Sequence, residues 1–311
     1  MVAELEWPRF LMAFETGASQ AEGSVGDSFS NPAQHVPCWV AEHAPRVRHI
    51  ATGFDGARGM DTLTFQQRVV EAYSVIFAQL ETGAVVHPVR FWAFLPGIHD
   101  DLSAGLDRYM AFNAGRYGAF AVHLDHPSSF GRSVPTASAV GIEGDYFQLH
   151  CLAAEAPGVP VENPRQVSAY HYSRRFGPRP PCFARATLLT CGGAPLLIVG
   201  GTASVVGEES RHIGDLHGQT QETFRNLASV VAAASGRTLR EDASPDDIRS
   251  LLSSFRELRV YCTDFVHRTS IAATVGAMFS SECRIEWLRA ALCRSELLIE
   301  IEGLAFPRPH S

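Results

Sequence analysis

The segment Leu297–Ala305, LLIEIEGLA, sets two carboxylates into an apolar run. Glu300 has Leu298, Ile299, Ile301 and Leu304 around it. Two readings follow. As the outward charge of an edge strand it is a solvated side chain. Facing an apolar wall, its carboxyl would hold its proton above the usual pH and act as an acid. Glu302 lies on the same face of a period-two strand, as a bystander or as a partner of Glu300. Upstream, GPRPPCFARAT (Gly177–Thr187) supplies Arg179 and Arg185 on a proline-stiffened backbone, suited to gripping carboxylates. Arg179 fits a surface turn equally well, whereas Arg185 sits in an apolar strand where an unpaired charge is costly. Tyr170 and Tyr172 alternate in SAYHY, so one strand face would present both for hydrogen bonding or for packing. Gly201, within Gly200-Gly201-Thr202, permits a ligand to approach the backbone or ends a strand tightly. Arg259 and Tyr261 alternate on a further strand, and Cys293 reads as a small buried thiol.

The 311 residues carry 26 basic side chains, every one an arginine, and 33 acidic ones, for a net charge of −7. Without lysine, Schiff-base chemistry is excluded, and an anion must be met by Arg, His or backbone N–H groups. The negative balance argues against nucleic acid as a partner. Seven scattered cysteines lack the paired spacing of zinc sites or disulfide frameworks and read as reduced thiols of a cytoplasmic protein. His123, Asp125 and His126 (HLDH) run into PSSFGR and read as a loop, so no metal site is expected. The N-terminus MVAELEWPRF lacks the basic-then-apolar pattern of a secretory signal, and the longest apolar stretch, Pro195–Val206, is too short to span a bilayer. The expectation is a soluble protein, without membrane partners, monomeric or a small homo-oligomer.

The elements that must position these residues repeat. In the second half, Ala184–Cys191 and Leu196–Gly200 read as a hairpin around Gly192-Gly193, and His217–Ala234 reads as an amphipathic helix. A strand at Arg256–Cys262, a helix near Thr269–Phe279 and strands at Ile285–Cys293 and Leu297–Ala305 follow. The first half offers a helix at Thr64–Leu80, a strand at Val89–Phe94, a helix at Leu106–Phe120 interrupted at Gly115, and strands at Ser138–Ile142 and Asp145–Ala154. Gln148–Ala154 (QLHCLAA) aligns with Glu300–Phe306 (EIEGLAF), which places Gln148 at the position of Glu300 and His150 at that of Glu302. The expected fold is α+β: two tandem modules of mixed sheets backed by helices, residues 1–160 and 161–311. A single reacting carboxyl per chain is expected, with the first module as a wall.

The second module resembles the RidA/YjgF fold through GDLHGQTQETFRNLASVV, RVYCTDF and LLIEIEGLAF. In that family the first Glu of the EIE segment lines the active site, which implies Glu300, and a nearby Arg binds the substrate carboxylate, for which Arg284 is the closest candidate. The chain more specifically resembles the chorismatase family, built on this fold, in Gln166–Thr187, Gly200–Asp215 and Leu292–Gly303, and in RFWAFLPGI and RYMAFNAGR of the first half.

The resemblance implies a cofactor-independent enzyme that protonates the enolpyruvyl group of chorismate through Glu300, the Arg and Tyr candidates binding the small-molecule substrate. A Cys at position 293 implies the type forming 3-hydroxybenzoate, alone or with 4-hydroxybenzoate, plus pyruvate. The alternatives are a hydrolytic chorismatase giving a dihydroxycyclohexadiene carboxylate, a RidA-type imine or enamine deaminase, and a binding module without chemistry.

Overall fold

Hydrophobic alternation within the strands decides how the two sheets of this protein meet. The structure, a computed structural model, describes residues 38–43, 47–191 and 193–307. In the first half β1 (Cys38–His43), β2 (Val47–Phe54), α1 (Thr62–Leu80), β3 (His87–Pro96), α2 (Arg108–His123), β4 (Thr136–Ile142) and β5 (Phe147–Ala154) follow one another. The second half comprises β6 (Val159–Val161), β7 (Ala186–Cys191), β8 (Ala194–Ala203), α3 (Leu216–Ala234), α4 (Pro245–Leu252), β9 (Phe255–Cys262), α5 (Phe265–Met278), β10 (Arg284–Arg289) and β11 (Ile299–Ala305).

The first sheet has the order β1-β2-β5-β3-β4, and the second β6-β7-β8-β11-β9-β10. Without β6 the two orders are the same, and so are the senses: every pair is antiparallel except the last, β3 with β4 and β9 with β10. This is the α+β class with mixed sheets that the repeat predicts. Register agrees with the aligned termini. Gln148 lies opposite Gly53 and Phe94, as Glu300 lies opposite Ala203 and Tyr261.

In β3, Phe91, Ala93 and Leu95 point to the α1/α2 side, while Val89, Trp92 and Phe94 point the other way. In β8, Leu197 and Val199 face the core beneath α3, while Leu196 and Ile198 join Trp92 and Phe94. The helix-free faces of the sheets therefore pack on each other in a third core containing Val140, Leu152, Tyr261 and Leu304. At one edge the halves also touch by backbone: Ala184 N donates to Pro135 O at 3.1 Å, and Gly141 N to Ala291 O at 2.7 Å. Gly200 is needed there, since a Cβ would stand 2.5 Å from Thr136 Oγ1.

Several local expectations change. Gly115 does not interrupt its helix; it lets α2 cross α1, because a Cβ would meet Gln66 O at 2.8 Å and Val69 Cβ at 2.9 Å. α4 is absent from the sequence reading, yet it has a Ser244–Asp247 capping box and Pro245 in its first turn. Tyr170 does not share a strand face with Tyr172, because Ala169–His171 is a 3-10 turn. The strand expected to run through Cys293 ends at Arg289, leaving Cys293 in a loop. The expected hairpin at Gly192-Gly193 falls partly outside the described residues, although β7 and β8 do pair. Among the described residues, no helix is long and apolar enough to cross a membrane.

Gly303 marks the tightest contact of the closing strand: a Cβ there would lie 2.4 Å from the Glu257 carbonyl oxygen of β9. Gly303→Ala should therefore lose about 1–3 kcal/mol of stability through overpacking against backbone. A denaturation midpoint equal to the wild type would show that β9 and β11 are not so closely apposed.

Candidate active site

Glu300 ends up on the β11 face turned toward the first half, at the wall of a cavity of about 390 Å³. It is only 4 % exposed, and its carboxyl lies against Gly201, where a Cβ would stand 2.0 Å from Oε1. This is a reason for glycine at 201 in addition to backbone freedom. Burial, and after it the charge of Glu302, raises the Glu300 carboxyl to about 8, while Arg90 and Arg185 pull it down. Near neutral pH the carboxyl is therefore held mostly in its protonated form.

Two buried guanidiniums share the cavity. Arg185 directly precedes β7, and its Nη2 donates to Val167 O at 2.9 Å and to Tyr172 Oη at 2.8 Å. Arg116 of α2 donates through Nη2 to Asn113 Oδ1 at 2.7 Å. The Phe183 ring is close to both, 5.2 Å from the Arg185 guanidinium and 5.3 Å from that of Arg116. Tyr109 of α2 and Ser138 of β4 complete the wall supplied by the first half.

Cys293 lines the cavity from the loop before β11. That loop is held from both halves. His99 Nε2 donates to Leu292 O at 2.7 Å, while Gln219 of α3 donates to Glu296 O at 2.9 Å and accepts from Leu298 N at 2.7 Å. Burial first, then the nearby Glu300, pushes the Cys293 thiol up to about 12, so it is present as thiol and not thiolate.

The structure thus brings together Glu300, Cys293, Arg185, Tyr172 and Gly201 around one cavity. Five other candidates stand outside it. Arg179 is exposed and lies over the Tyr117 ring at 5.3 Å, because the two flanking prolines turn it toward α2 and solvent. Tyr170 packs against Phe130. Arg284 is exposed at the start of the edge strand β10. Arg259 is buried but turned to Glu286, to which its Nε donates at 2.6 Å, and Tyr261 Oη donates to Glu302 at 3.2 Å. Arg116, Tyr109 and Ser138 escaped the sequence reading. Tyr109, Asn113 and Arg116 form a polar stripe at i, i+4 and i+7 of an otherwise apolar helix, and that spacing was the available signal.

Glu302 has no exposed surface. Its Oε2 accepts from Arg90 Nη2 at 2.5 Å and Ser138 Oγ at 2.6 Å, and its Oε1 from Trp92 Nε1 at 2.9 Å. All three donors come from the first half. Tyr261 and Arg259, the latter 3.5 Å away through Nη1, approach from β9. Ser138 Oγ in turn accepts from Gly201 N at 2.8 Å, which ties this cluster to the cavity wall.

Because the Glu300 carboxyl titrates near 8 in the folded chain and near 4.5 when unfolded, folding takes up a proton between those values. Its stabilising contribution is full below about 4.5 and is lost as pH rises through about 8. Glu300→Gln should match the wild type most closely at acid pH, then exceed it by a margin that grows up to about pH 8. Thermal unfolding across that range tests this; a constant difference would refute the upward shift of the Glu300 titration.

Residues 46–153 match the family model described as "Chorismatase FkbO/Hyg5-like, N-terminal". A 3-hydroxybenzoate synthase of Streptomyces hygroscopicus is 33% identical over 256 residues, covering 81% of this chain and 73% of that protein. A chorismatase of Streptomyces rapamycinicus is 30% identical over 308 residues, covering 93% and 89% respectively. A crystal structure of a chorismatase shares the fold with a TM-score of 0.72 at 23% identity, over 90% of this chain and 80% of that one. With a protonated carboxyl and two buried cations facing one cavity, and with relatives of this similarity along nearly its whole length, the chain belongs to the chorismatase family.

Proposed function

We propose that this enzyme converts chorismate to 3-hydroxybenzoate and pyruvate, with Glu300 as the general acid. The two products together contain every atom of chorismate, so the reaction consumes no co-substrate and needs no net oxidant or reductant. The observation that carries the reading is a carboxyl protonated at neutral pH, next to two buried guanidiniums in one cavity. Chorismate bears two carboxylates and an enol ether. Protonation of the enolpyruvyl methylene creates an oxocarbenium ion, and a buried acid poised near neutrality suits that step. Arg185 and Arg116 take the carboxylates, each with its guanidinium against the Phe183 ring, so the enol ether is presented to Glu300. Tyr172 steadies Arg185 and offers its ring to the substrate.

After protonation, the neighbouring ring hydroxyl adds to the cation and gives up its proton, forming a cyclic ketal. The ring bond to that same oxygen then breaks, and loss of the adjacent ring hydrogen aromatises the ring and returns a proton to Glu300. The ketal collapses to the pyruvate carbonyl, expelling the original ether oxygen, which takes up the hydroxyl proton as the phenol. Capture by water instead would give the diol. Cys293, a neutral thiol, is a poor partner for an ordered water and favours the aromatic outcome. In this reading residues 161–311 carry the acid, residues 1–160 supply the opposite wall, and the protein works in the cytoplasm.

Chromatography after incubation with chorismate should show 3-hydroxybenzoate and stoichiometric pyruvate. The non-aromatic diol alone would make the chain a hydrolytic chorismatase. kcat/KM should fall as pH rises through about 8, since the acid must be protonated in the free enzyme. Glu300→Gln should abolish turnover in a folded protein. Arg116→Ala and Arg185→Ala should each cost about 2–4 kcal/mol of transition-state binding, roughly thirtyfold to several hundredfold in kcat/KM. Near-normal values for both would dismiss the clamp.

A further inference from the structure

The cluster around Glu302 has a charge balance that bears directly on Glu300. Two guanidiniums are enclosed between the sheets, Arg90 and Arg259, both without exposed side-chain surface. Two carboxylates answer them: Glu302 binds Arg90 at 2.5 Å and lies 3.5 Å from Arg259, while Glu286 takes Arg259 at 2.6 Å. Those pairs consume one another. Four donors hold Glu302, three of them from the opposite half.

Glu300 stands two residues away on the same strand face, with neither of its oxygens among the acceptors of those donors. Ser138 bridges the two positions, donating to Glu302 and accepting from the Gly201 N–H against which Glu300 rests. We infer that Glu302 is a positioning residue for catalysis: its locked negative charge, placed beside Glu300 by the junction of the two halves, holds Glu300 in the acid form that donates the proton. This deepens the assignment of Glu300 as general acid and rests on it.

The other groups around Glu300 leave this role to Glu302. On the α2 side Tyr109, on β9 Tyr261 and in the adjoining loop Cys293 are all held in their neutral forms by burial. Arg90 from β3 and Arg185 beside β7 favour ionisation of Glu300, and Arg116 faces the same cavity. Asp101, Asp107 and Glu296 also line the cavity; of these carboxylates and Glu302, it is Glu302 whose charge, after burial itself, opposes ionisation of Glu300.

The test compares pH profiles of kcat/KM for the wild type, Glu302→Gln and Glu302→Asp. Removing the charge should move the alkaline limb to lower pH by roughly one unit, the order of effect of a like charge at this range. Glu302→Asp keeps the charge and should leave the limb within a few tenths of a unit of the wild type. A role confined to fold stability would lower the rate in both variants without moving the limb. An unmoved limb in Glu302→Gln, with Glu300→Gln inactive, overturns the inference and leaves the general acid in place. An active Glu300→Gln overturns the general acid, and this inference with it.

Should Glu302→Gln fail to fold, infrared titration of the wild type and Glu300→Gln decides the matter. The protonated-carboxyl band that disappears along the limb should be absent from Glu300→Gln. A buried protonated carboxyl persisting at about pH 8 in Glu300→Gln, above the range in which Glu162, raised to about 6 by burial, holds its proton, would show Glu302 to be uncharged and refute the proposal.

Discussion

A carboxylate sealed from solvent must be answered by donors, and Glu302 takes most of its donors from the other half of the chain. Moving such an ion out of water costs several kcal/mol, which its partners recover only with close geometry. Arg90, Trp92 and Ser138 provide that geometry, and each lies on a strand of the first sheet. The two sheets are thereby held in one register. Apolar packing between their helix-free faces tolerates sliding more readily than a hydrogen-bonded ion does. The cavity depends on this junction, because its acid comes from β11 while Arg116, Tyr109 and Ser138 come from the first half.

The duplicated fold has been used unequally. At the position of Glu302 the first half carries His150, stacked on His49 with ring centroids 5.3 Å apart and kept neutral chiefly by burial. At the position of Glu300 it carries Gln148, an amide that cannot supply a proton. The first half keeps the architecture of the repeat and contributes a wall and a cation. The cavity between the two halves is thus asymmetric, with the buried Glu300 carboxyl on one side and the Arg116 guanidinium on the other.

Aromatic rings set the spacing within that site. Phe183 contacts both guanidiniums, and Tyr172 both bonds and stacks against Arg185. An aromatic ring beside a cation offers it a negative face. In a chain without lysine, planar guanidiniums held in this way give directional sites for planar carboxylates.

Most of the strands, the main helices and the repeat were legible in the sequence because they follow from hydrophobic period and from aligned termini, whereas β1, β2 and β6 were not read from it. Glu300 was legible as one of two readings: an apolar strand declares that a carboxyl is unusual, but not whether its face meets solvent or another sheet. Arg185 could be told from Arg179 by its apolar strand, whereas Tyr170 and Tyr172 could not be separated, since a 3-10 turn leaves little trace in a pattern of alternation. Arg259, Tyr261 and Glu302 carry the chemistry of a site and are spent on the junction, which depends on what the opposite sheet presents. Arg116 and Ser138 lie 184 and 162 residues before Glu300, by subtraction of their numbers, and only the packing of the two sheets brings them to it. The sequence by itself determined the two modules, the residue types and the strand faces. Tertiary structure decided which carboxyl keeps a proton and which is held as an ion, because burial and the distance to a fixed charge exist only once the halves have met.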